Sequence, residues 1–456
     1  MNKDNQNVID DKNVSYELGN LIAEGAQGRT YHLKDEKYIV KLFKKSSLDE
    51  SDLKSKIRFL QLLELDKSRY SIPVKLIVKP EIGYVAEFAS GMVQIQDLKP
   101  NKNISDFSNW YKTSGDLLKR YMVLADLAKS LRSIHSKGLI YCDLSPLNVF
   151  VSQDTSHSNT YLIDLDNLRY KTSVKHNIFT PFYGAPEVVT MKAPNTTMSD
   201  CFSFAVMAYE LLTFRHPLIG DYVNNGEAEL ETDALEGKIP WIGNTKDSIN
   251  SVAGNNYQCF VSNKLMSLFV RTFEEGLNDP FERPTMADWF ECFNAGLNGL
   301  IRCECGHYYL AQANGCCLFC EKQSNSLVHI QIRRWEYDES KKKGYLEDRV
   351  EEEFVIDKYT QKCLKGFHLL LSDKSLSYDY KIAVISVVDY GNDFYRIKIK
   401  PCSDLKIFCS SRNGLFYSNI EKEVVLKVGK NSSSKMMLHF SELDKSQRVV
   451  TIDYKN

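Results

Sequence analysis

The stretch "GLIYCDLSPLNVFV", residues 138–151, constrains the fold of this chain more than any other. An acid, Asp143, follows one apolar run, and Asn148 comes five positions later, directly before a second apolar run. This spacing predicts a loop between extended segments that presents both side chains to one place. Phosphoryl transfer needs two groups: a carboxylate that accepts a proton, and a side-chain oxygen that binds a metal ion. The stretch therefore predicts a phosphoryl-transfer loop.

Composition sets the wider limits. The chain has 456 residues with 58 Lys+Arg and 59 Asp+Glu, so bulk charge favours neither nucleic acid nor a membrane surface as a partner. The polar, acidic amino terminus is unlike a signal peptide, and no apolar run reaches the length that spans a bilayer. Five of the 12 cysteines cluster within residues 303–320, which predicts a metal site and otherwise reduced thiols in the cytoplasm.

Four zones follow one another along the chain. Residues 1–16 are rich in Asn and Asp and predict a flexible tail. Residues 17–300 begin with short β-rich runs and continue with longer helical patterns, which predicts an α+β domain. The cysteine cluster occupies residues 301–323. Alternating segments separated by Gly, Asn, Asp and Ser then predict an all-β domain, a sandwich or barrel, over residues 324–456.

Two features near the amino terminus are suited to phosphate binding. In "IAEGAQGRTY", Gly25 and Gly28 would let a hairpin backbone approach phosphate groups closely, although glycines also serve ordinary hairpin turns. In "YIVKLF", Lys41 is flanked by apolar residues on both sides. An ammonium group among strand core residues is costly without a partner, which favours a phosphate role for Lys41 over a surface role.

Set in order, these motifs resemble the catalytic domain of eukaryotic-type (Hanks-type) serine/threonine protein kinases, over about residues 18–300. The resemblance implies a bilobal fold with a β-rich amino lobe and a helical carboxyl lobe. The family's motifs appear here in sequence as "AEGAQG", Lys41, "YCDLSPLN", "LIDLDN", "YGAPE", "SDCFSFAVMAYELL" and "NDPFERPT".

The resemblance also implies roles for the residues nearest the chemistry. Asp143 would accept the proton of the substrate hydroxyl, and Asn148 and Asp164 would be the ligands of Mg²⁺. Lys41 would contact the α- and β-phosphates of ATP. Thr180 matches the threonine that serine/threonine-directed members place beside the catalytic aspartate, where tyrosine-directed members carry proline.

Further roles follow for nucleotide binding and for architecture. Ala86 falls at the gatekeeper position, where an alanine is unusually small for the family. Asp200 would brace the catalytic loop, and Arg283 would pair with Glu187. The remaining contacts to the nucleotide would come from the glycine-rich loop and from the hinge between the lobes, at Ala23, Gly25, Gly28, Glu87 and Ala89.

The chain departs from the family pattern at several places, beginning with Ala23 in place of the first loop glycine. Tyr141 and Cys142 replace His-Arg, which removes the cation that would bind an activation-loop phosphate. Asp166 replaces a glycine and predicts a stiffer loop. Ser145 replaces a lysine that would help neutralise the γ-phosphate. The family's helix glutamate has no clear equivalent: the apolar spacing of "KIRFLQLL" puts Lys56 there, and the candidates for a shifted helix are Glu50, Asp52 and Glu64.

The cysteine cluster forms a second motif. "CECG" and "CLFC" offer four thiolates in two close pairs, the arrangement that tetrahedral Zn²⁺ requires, and the segment resembles a zinc ribbon. The predicted ligands are Cys303, Cys305, Cys317 and Cys320. Cys316 or His307 could replace one of them, and free thiols or a disulfide or redox role are the other interpretations.

Two classes of function remain open. The first is an ATP-dependent serine/threonine protein kinase whose zinc ribbon and β domain recruit a protein substrate or another protein partner. The second is a nucleotide-binding pseudokinase scaffold. Small-molecule phosphotransferases share the Asp…Asn…Asp core, but "TPFYGAPE" and "NDPFERPT" favour a protein substrate.

Overall fold

The chain forms two compact units in the computed structural model. The first unit contains residues 1–107, 122–255 and 267–290, and the second contains residues 108–121, 256–266 and 291–456. The structure describes residues 7–25, 28–44, 49–101, 103–254, 259–311, 316–322, 327–369, 380–411, 418–430 and 436–455.

The first unit begins with a closed antiparallel sheet in the order β1-β2-β3-β4-β6-β5. Its elements are β1 (Asn7–Asp10), β2 (Ser15–Glu24), β3 (Gly28–Leu33), β4 (Tyr38–Phe43), helix α1 (Glu50–Leu62), β5 (Lys75–Lys79) and β6 (Gly83–Glu87). Val40 and Leu42 of β4 enter one apolar cluster, while Ile39 and Phe43 pack with α1 residues. Because side chains alternate along a strand, Lys41 lies on the face of β4 that is turned toward α1.

The amino-terminal segment differs from the prediction. Residues 1–16 were expected to be a flexible tail, but residues 7–10 form β1, which pairs with both β2 and β5. Val8 is fully buried, and the Asp10 carboxylate accepts hydrogen bonds from the backbone of Val14 and the hydroxyl of Tyr16. The prediction was wrong for residues 7–16 because a four-residue strand is too short to show a period. Residues 1–6 lie outside the described residues.

The chain continues with a mainly helical part, as the resemblance implied. Helix α5 is buried along almost its whole length and begins with a capping box formed by Thr196 and Ser199. The elements are β7 (Met92–Gln94), α2 (Phe107–Thr113), α3 (Asp116–His135), β8 (Val149–Ser152), β9 (Thr160–Leu162), α4 (Pro186–Val189), α5 (Thr197–Thr213), α6 (Asp221–Asn224), α7 (Ala228–Leu235), α8 (Asn263–Phe273), α9 (Glu275–Asn278) and α10 (Met286–Gly299). Strands β7, β8 and β9 form a three-stranded sheet.

The carboxyl-terminal part of the second unit is rich in strands. It contains β10 (Leu300–Arg302), β11 (Tyr308–Leu310), β12 (Leu327–Asp338), β13 (Lys343–Ile356), β14 (Gln361–Lys365), α11 (Gly366–Leu369), β15 (Lys381–Tyr390), β16 (Phe394–Pro401), β17 (Phe408–Ser411), β18 (Ser418–Asn419), β19 (Val424–Gly429), β20 (Met436–His439) and β21 (Gln447–Lys455). Two larger sheets have the orders β13-β12-β21-β20-β17-β18 and β14-β15-β16-β19. One apolar cluster takes side chains from both sheets. In the described ranges, no helix is both long and apolar enough to cross a membrane.

Candidate active site

Lys41 lies at the centre of a buried charge cluster in the first unit. Its Nζ atom is 2.9 Å from Oδ1 of Asp164 and 3.1 Å from Oδ1 of Asp166. Burial alone would lower the pKa of Lys41, but neighbouring Tyr84, Asp166 and Asp164 outweigh it and raise that pKa well above its ordinary value. Lys41 therefore stays charged and can attract an anion.

Asp164 combines an unusual backbone with a crowded electrostatic environment. Its φ of 55° lies in the left-handed region, which aspartate tolerates better than most residues. Burial raises the pKa of Asp164, and the carboxylates of Asp166 and Asp143 raise it further, while Lys41 lowers it. A divalent cation bound to Asp164 would relieve this repulsion, which fits the hard oxygen ligand that Mg²⁺ prefers.

The loop predicted from the first motif brings Asp143, Asn148 and Thr180 together. Asn148 donates through Nδ2 to the backbone oxygen of Asp143 at 2.8 Å, which leaves its amide oxygen as the atom that could bind a cation. Thr180 donates from Oγ1 to Oδ1 of Asp143, also at 2.8 Å. The threonine thus orients a carboxylate whose second oxygen can accept a proton from a hydroxyl.

Asp200 holds the backbone of this loop, as the resemblance implied. Its two carboxylate oxygens accept hydrogen bonds from the backbone N–H groups of Tyr141 and Cys142, at 2.8 and 2.9 Å. His135 also contacts Asp200, through Nε2. Cys142 has a φ of 74°, a strained conformation for a residue with a side chain, and the fixed Asp200 carboxylate stabilises it.

The predicted pair of Glu187 and Arg283 is confirmed. Arg283 is fully buried and donates in parallel to both carboxylate oxygens of Glu187, at 2.7 and 2.8 Å. This bidentate geometry is the strongest form of the arginine–carboxylate interaction. Its role is architectural, because neither residue contacts the Lys41 cluster.

The two glycines of the glycine-rich segment have different surroundings. A Cβ on Gly28 would lie 2.3 Å from the backbone oxygen of Leu42, so Gly28 is required by the pairing of β3 with β4. A Cβ on Gly25 would meet nothing within 4 Å, and the Gly25 N–H donates to the backbone oxygen of Gly28 at 2.9 Å, which closes the hairpin. Ala23 lies near the end of β2, and residues 26 and 27 fall outside the described residues.

The predicted hinge follows directly after β6. Ala86 is fully buried and belongs to the same apolar cluster as Leu53 and Ile57 of α1. Glu87 ends the strand, and Ala89 follows in a stretch without regular structure. Glu87 pairs with Tyr38 of β4, so the predicted hinge begins at the end of the strand ladder.

The helix residue expected to bind Lys41 is not acidic. Lys56 lies half-buried on α1, beside Ile57. Glu50, Asp52 and Glu64 are exposed. Within the described part of the chain, the carboxylates that pair with Lys41 are those of Asp164 and Asp166. Sequence reasoning missed Asp166 as a partner, although an acid in place of glycine together with a lysine in place of the helix glutamate was an available signal.

Ser145, the replacement for the loop lysine, does not compensate for the lost cation. Its side chain is fully buried, and its hydroxyl has no hydrogen-bond partner among the described residues. Any additional positive charge near the γ-phosphate has to come from another group.

Four cysteines of the second unit converge on one point. The sulfur atoms of Cys303, Cys305, Cys317 and Cys320 all lie within 4.8 Å of one another. The pairs Cys303–Cys320 and Cys305–Cys317 are separated by 3.4 and 3.5 Å. Zinc at about 2.3 Å from each sulfur would separate tetrahedral ligands by roughly 3.8 Å, so the four thiols fit this metal. Cys316 is outside this group.

His307, considered as a replacement ligand, is engaged elsewhere. Its Nδ1 atom is 2.5 Å from Oδ2 of Asp116, and its Nε2 atom is 3.0 Å from Oγ of Ser108. The imidazole also stacks on Phe319 with ring centroids 3.7 Å apart. His307 therefore connects the cysteine segment with the amino-terminal ends of α2 and α3 within the second unit.

Two features together define the protein kinase class of fold. One is a lysine on a central strand of the closed sheet, and the other is the set of Asp143, Asn148 and Asp164 on the loops of the helical part that follows. The comparisons with known proteins agree. The family model described as "Protein kinase domain" matches residues 16–291, which is more than half of the chain. The chain belongs to the protein kinase family.

Individual relatives share only part of their length with this chain. It is 33% identical over 111 residues to serine/threonine-protein kinase pkn2 of Myxococcus xanthus, a match that covers 23% of this chain and 13% of that protein. It is 24% identical over 203 residues to CBL-interacting serine/threonine-protein kinase 20 of Arabidopsis thaliana, covering 43% and 44%. The human ribosomal protein S6 kinase alpha-3 is 25% identical over 214 residues, covering 45% and 27%. The chain thus matches less than half the length of each relative.

Proposed function

We propose that this protein is an ATP-dependent protein kinase that transfers the γ-phosphate of ATP to serine and threonine hydroxyls. The observation that carries the proposal is the arrangement of Lys41, Asp143, Asn148 and Asp164 in the first unit, with Thr180 bonded to the proposed base. The names of the three relatives, each a kinase, support the same class of reaction.

Each side chain has a defined task in this reaction. ATP supplies the phosphoryl group, and Mg²⁺ held by Asp164 and Asn148 would neutralise its charge. Lys41 attracts the α- and β-phosphates. Asp143 accepts the proton of the substrate hydroxyl. The hydroxyl oxygen bonds to the γ-phosphorus, and the bond between the γ-phosphorus and the leaving ADP oxygen breaks. Gly25, Gly28, Ala23, Glu87 and Ala89 are the proposed backbone contacts to the nucleotide.

Transfer from radiolabelled ATP tests this proposal. The purified chain is incubated with Mg²⁺ and a generic basic protein, and the labelled amino acids are separated after acid hydrolysis. We expect phosphoserine and phosphothreonine, because Thr180 occupies the position that proline takes in tyrosine-directed members. Label on tyrosine alone would contradict the assigned specificity.

A pseudokinase scaffold is the second candidate function. The buried Ser145 hydroxyl favours it, because the loop offers no cation for the γ-phosphate at this position. A protein that binds ATP with Mg²⁺ but transfers no label, to itself or to the basic protein, would establish this alternative.

We further propose that one zinc ion binds to Cys303, Cys305, Cys317 and Cys320. In this proposal the strand-rich part is a β sandwich. The zinc module and the sandwich recruit a protein substrate or another protein partner. The convergence of the four sulfur atoms supports the metal, and the apolar cluster shared by two sheets supports the sandwich. Cysteines bind zinc only as reduced thiolates and not as disulfides. The proposal therefore includes a reducing compartment, the cytoplasm.

A further inference from the structure

The charges around Lys41 are arranged differently from the pattern that the family resemblance implies. Asp166 lies on the short turn Leu165–Asn167, directly after Asp164, and is 2% exposed. Helix α1 packs against this turn. The helix contributes Lys56 to this region. The acid that the family pattern places on the helix is therefore found on the turn, as Asp166, and the helix carries a base, Lys56, instead.

We propose that Asp166 is a positioning residue that holds the Lys41 ammonium group for the nucleotide phosphates, and that Lys56 of α1 supplies a second positive charge near Asp166. The glycine and the glutamate of the family pattern have thus been replaced together by an acid and a base. This inference rests on the proposed kinase function, because the nucleotide contact of Lys41 is part of that function.

The need for Asp166 follows from the competing demands on Asp164. In the structure Lys41 is bonded to both carboxylates. A metal ion bound to Asp164 would share the negative charge of that carboxylate with Lys41, which is bonded to its Oδ1 atom, and would weaken their attraction. Asp166 would then remain as the acid that keeps Lys41 in place.

The buried Asp166 carboxylate in turn needs cations around it, since an unpaired buried charge is costly. Lys41 supplies one at 3.1 Å. Burial lowers the pKa of Lys56, and Asp166 is the group that opposes this lowering most, while Arg169 and Lys41 add to it. Lys56 therefore interacts electrostatically with Asp166 from the helix that packs on the turn, although no ion pair joins the two side chains in the described part of the chain.

A consequence concerns regulation of the active site. Lys41 is bonded to Asp164 and to Asp166 of the turn that follows it, and no acid of α1 among the described residues takes part. A movement of α1 would therefore not remove the carboxylate that positions Lys41.

A charge exchange tests the proposal. Asp166→Asn and Asp166→Gly should each lower kcat/KM for ATP by ~10- to 100-fold, because the buried lysine loses a charged partner. Adding Lys56→Glu to Asp166→Gly restores the acid on the helix and should recover most of this loss. Lys54→Glu is the matched control, since it makes the same substitution on the same helix at a more exposed position, and it should recover nothing.

Labelling of Lys41 by an acyl phosphate of ATP gives a readout that needs no phosphoryl transfer. Mass spectrometry should find Lys41 labelled in the wild-type protein, weakly labelled in Asp166→Asn, and labelled again in the Asp166→Gly/Lys56→Glu variant. Melting temperatures identify variants that are unfolded, and Asp166→Asn is the variant closest in shape. A wild-type protein that is labelled but inactive would contradict the proposed kinase function. The labelling of the variants would then still show whether Asp166 positions Lys41.

Two results would overturn the positioning role. The first is unchanged Lys41 labelling and kcat/KM in Asp166→Asn. The second is equal recovery from Lys56→Glu and from Lys54→Glu, which would show that the effect is not specific to the helix position facing the turn. Absence of labelling in the wild type would also contradict the proposal.

Discussion

At position 86 the side chain is a single methyl group, fully buried in the cluster that faces α1. If Ala86 is the gatekeeper, its small side chain predicts that a ligand larger than adenine can enter behind the base. ATP analogues with a bulky N6 substituent should therefore bind the unmodified protein. Ala86→Phe should exclude them and spare ATP itself, because the phenyl ring fills only the space behind the base.

Dissociation constants for ATP and for an N6-benzyl analogue measure this selectivity. We expect Ala86→Phe to weaken the analogue by more than ~10-fold, the loss of at least 1.4 kcal/mol, with ATP little changed. Equal binding of the analogue by both proteins would show that the hinge lies elsewhere in the chain.

Single residues also show how far sequence reasoning reaches. Lys41, Asp143 and Asp164 could be proposed from the sequence because each stands in a short apolar context that leaves few alternatives. The pairing of Lys41 with Asp166 is indicated only when two positions are considered together, an acid in place of glycine and a lysine in place of the helix glutamate, because the acid alone indicates no more than a stiffer backbone. Only the distance between β4 and the turn shows that the carboxylate reaches the ammonium group.

At the scale of elements, the pair of Arg283 and Glu187 connects the segment before α10 with α4. Arg283→Met should lower the free energy of unfolding by about 3–5 kcal/mol, because the Glu187 carboxylate is left without its buried partner. Urea denaturation measures the change. Lys238→Met is the matched control: Lys238 also pairs with acids, Asp233 and Glu236, but at the surface, and its loss should leave the transition unchanged.

Equal stability of the two variants would contradict the architectural role assigned to the buried pair. A selective loss in Arg283→Met with ATP binding retained at low temperature would support it, since neither residue contacts the charge cluster around Lys41.

The elements also explain what the sequence left open. The helices α3 and α5 were predictable because their apolar periods extend over many residues, and the strands β4 and β6 because each is a run of mostly apolar residues. Strand β1 was missed, because its four residues depend on hydrogen bonds to β2 and β5 that local sequence does not display. Likewise nothing in the sequence around Ser108 and Asp116 indicates that both bond to His307, which lies 199 and 191 positions later.

At the scale of the whole molecule, zinc and catalysis should be separable. All four proposed catalytic residues lie in the first unit, and all four cysteines lie in the second. Cys317→Ser with Cys320→Ser should abolish zinc binding and loosen residues 303–311 and 316–320, because so short a segment has no core of its own without metal. Hydrogen exchange should increase there and around Ser108. Phosphorylation of a generic peptide should survive, and phosphorylation of the natural substrate should fall.

Cys316→Ser is the control for the zinc experiment. It changes the neighbouring cysteine, which is outside the converging group, and should retain one zinc ion per chain by metal analysis. Absence of zinc from the wild-type protein, or loss of generic activity in the double variant, would contradict the division of labour between the two units.

The most direct test of the central claim is phosphoryl transfer by Asp143→Asn. The amide retains the shape of the side chain but cannot take the substrate proton, so transfer from ATP should fall by ~10²- to 10⁴-fold. Binding of ATP with Mg²⁺ should change little, because Asp143 acts on the hydroxyl and not on the nucleotide, whereas Lys41→Ala should weaken both. A rate of transfer in Asp143→Asn equal to that of the wild-type protein would contradict the assignment of this chain as a working protein kinase.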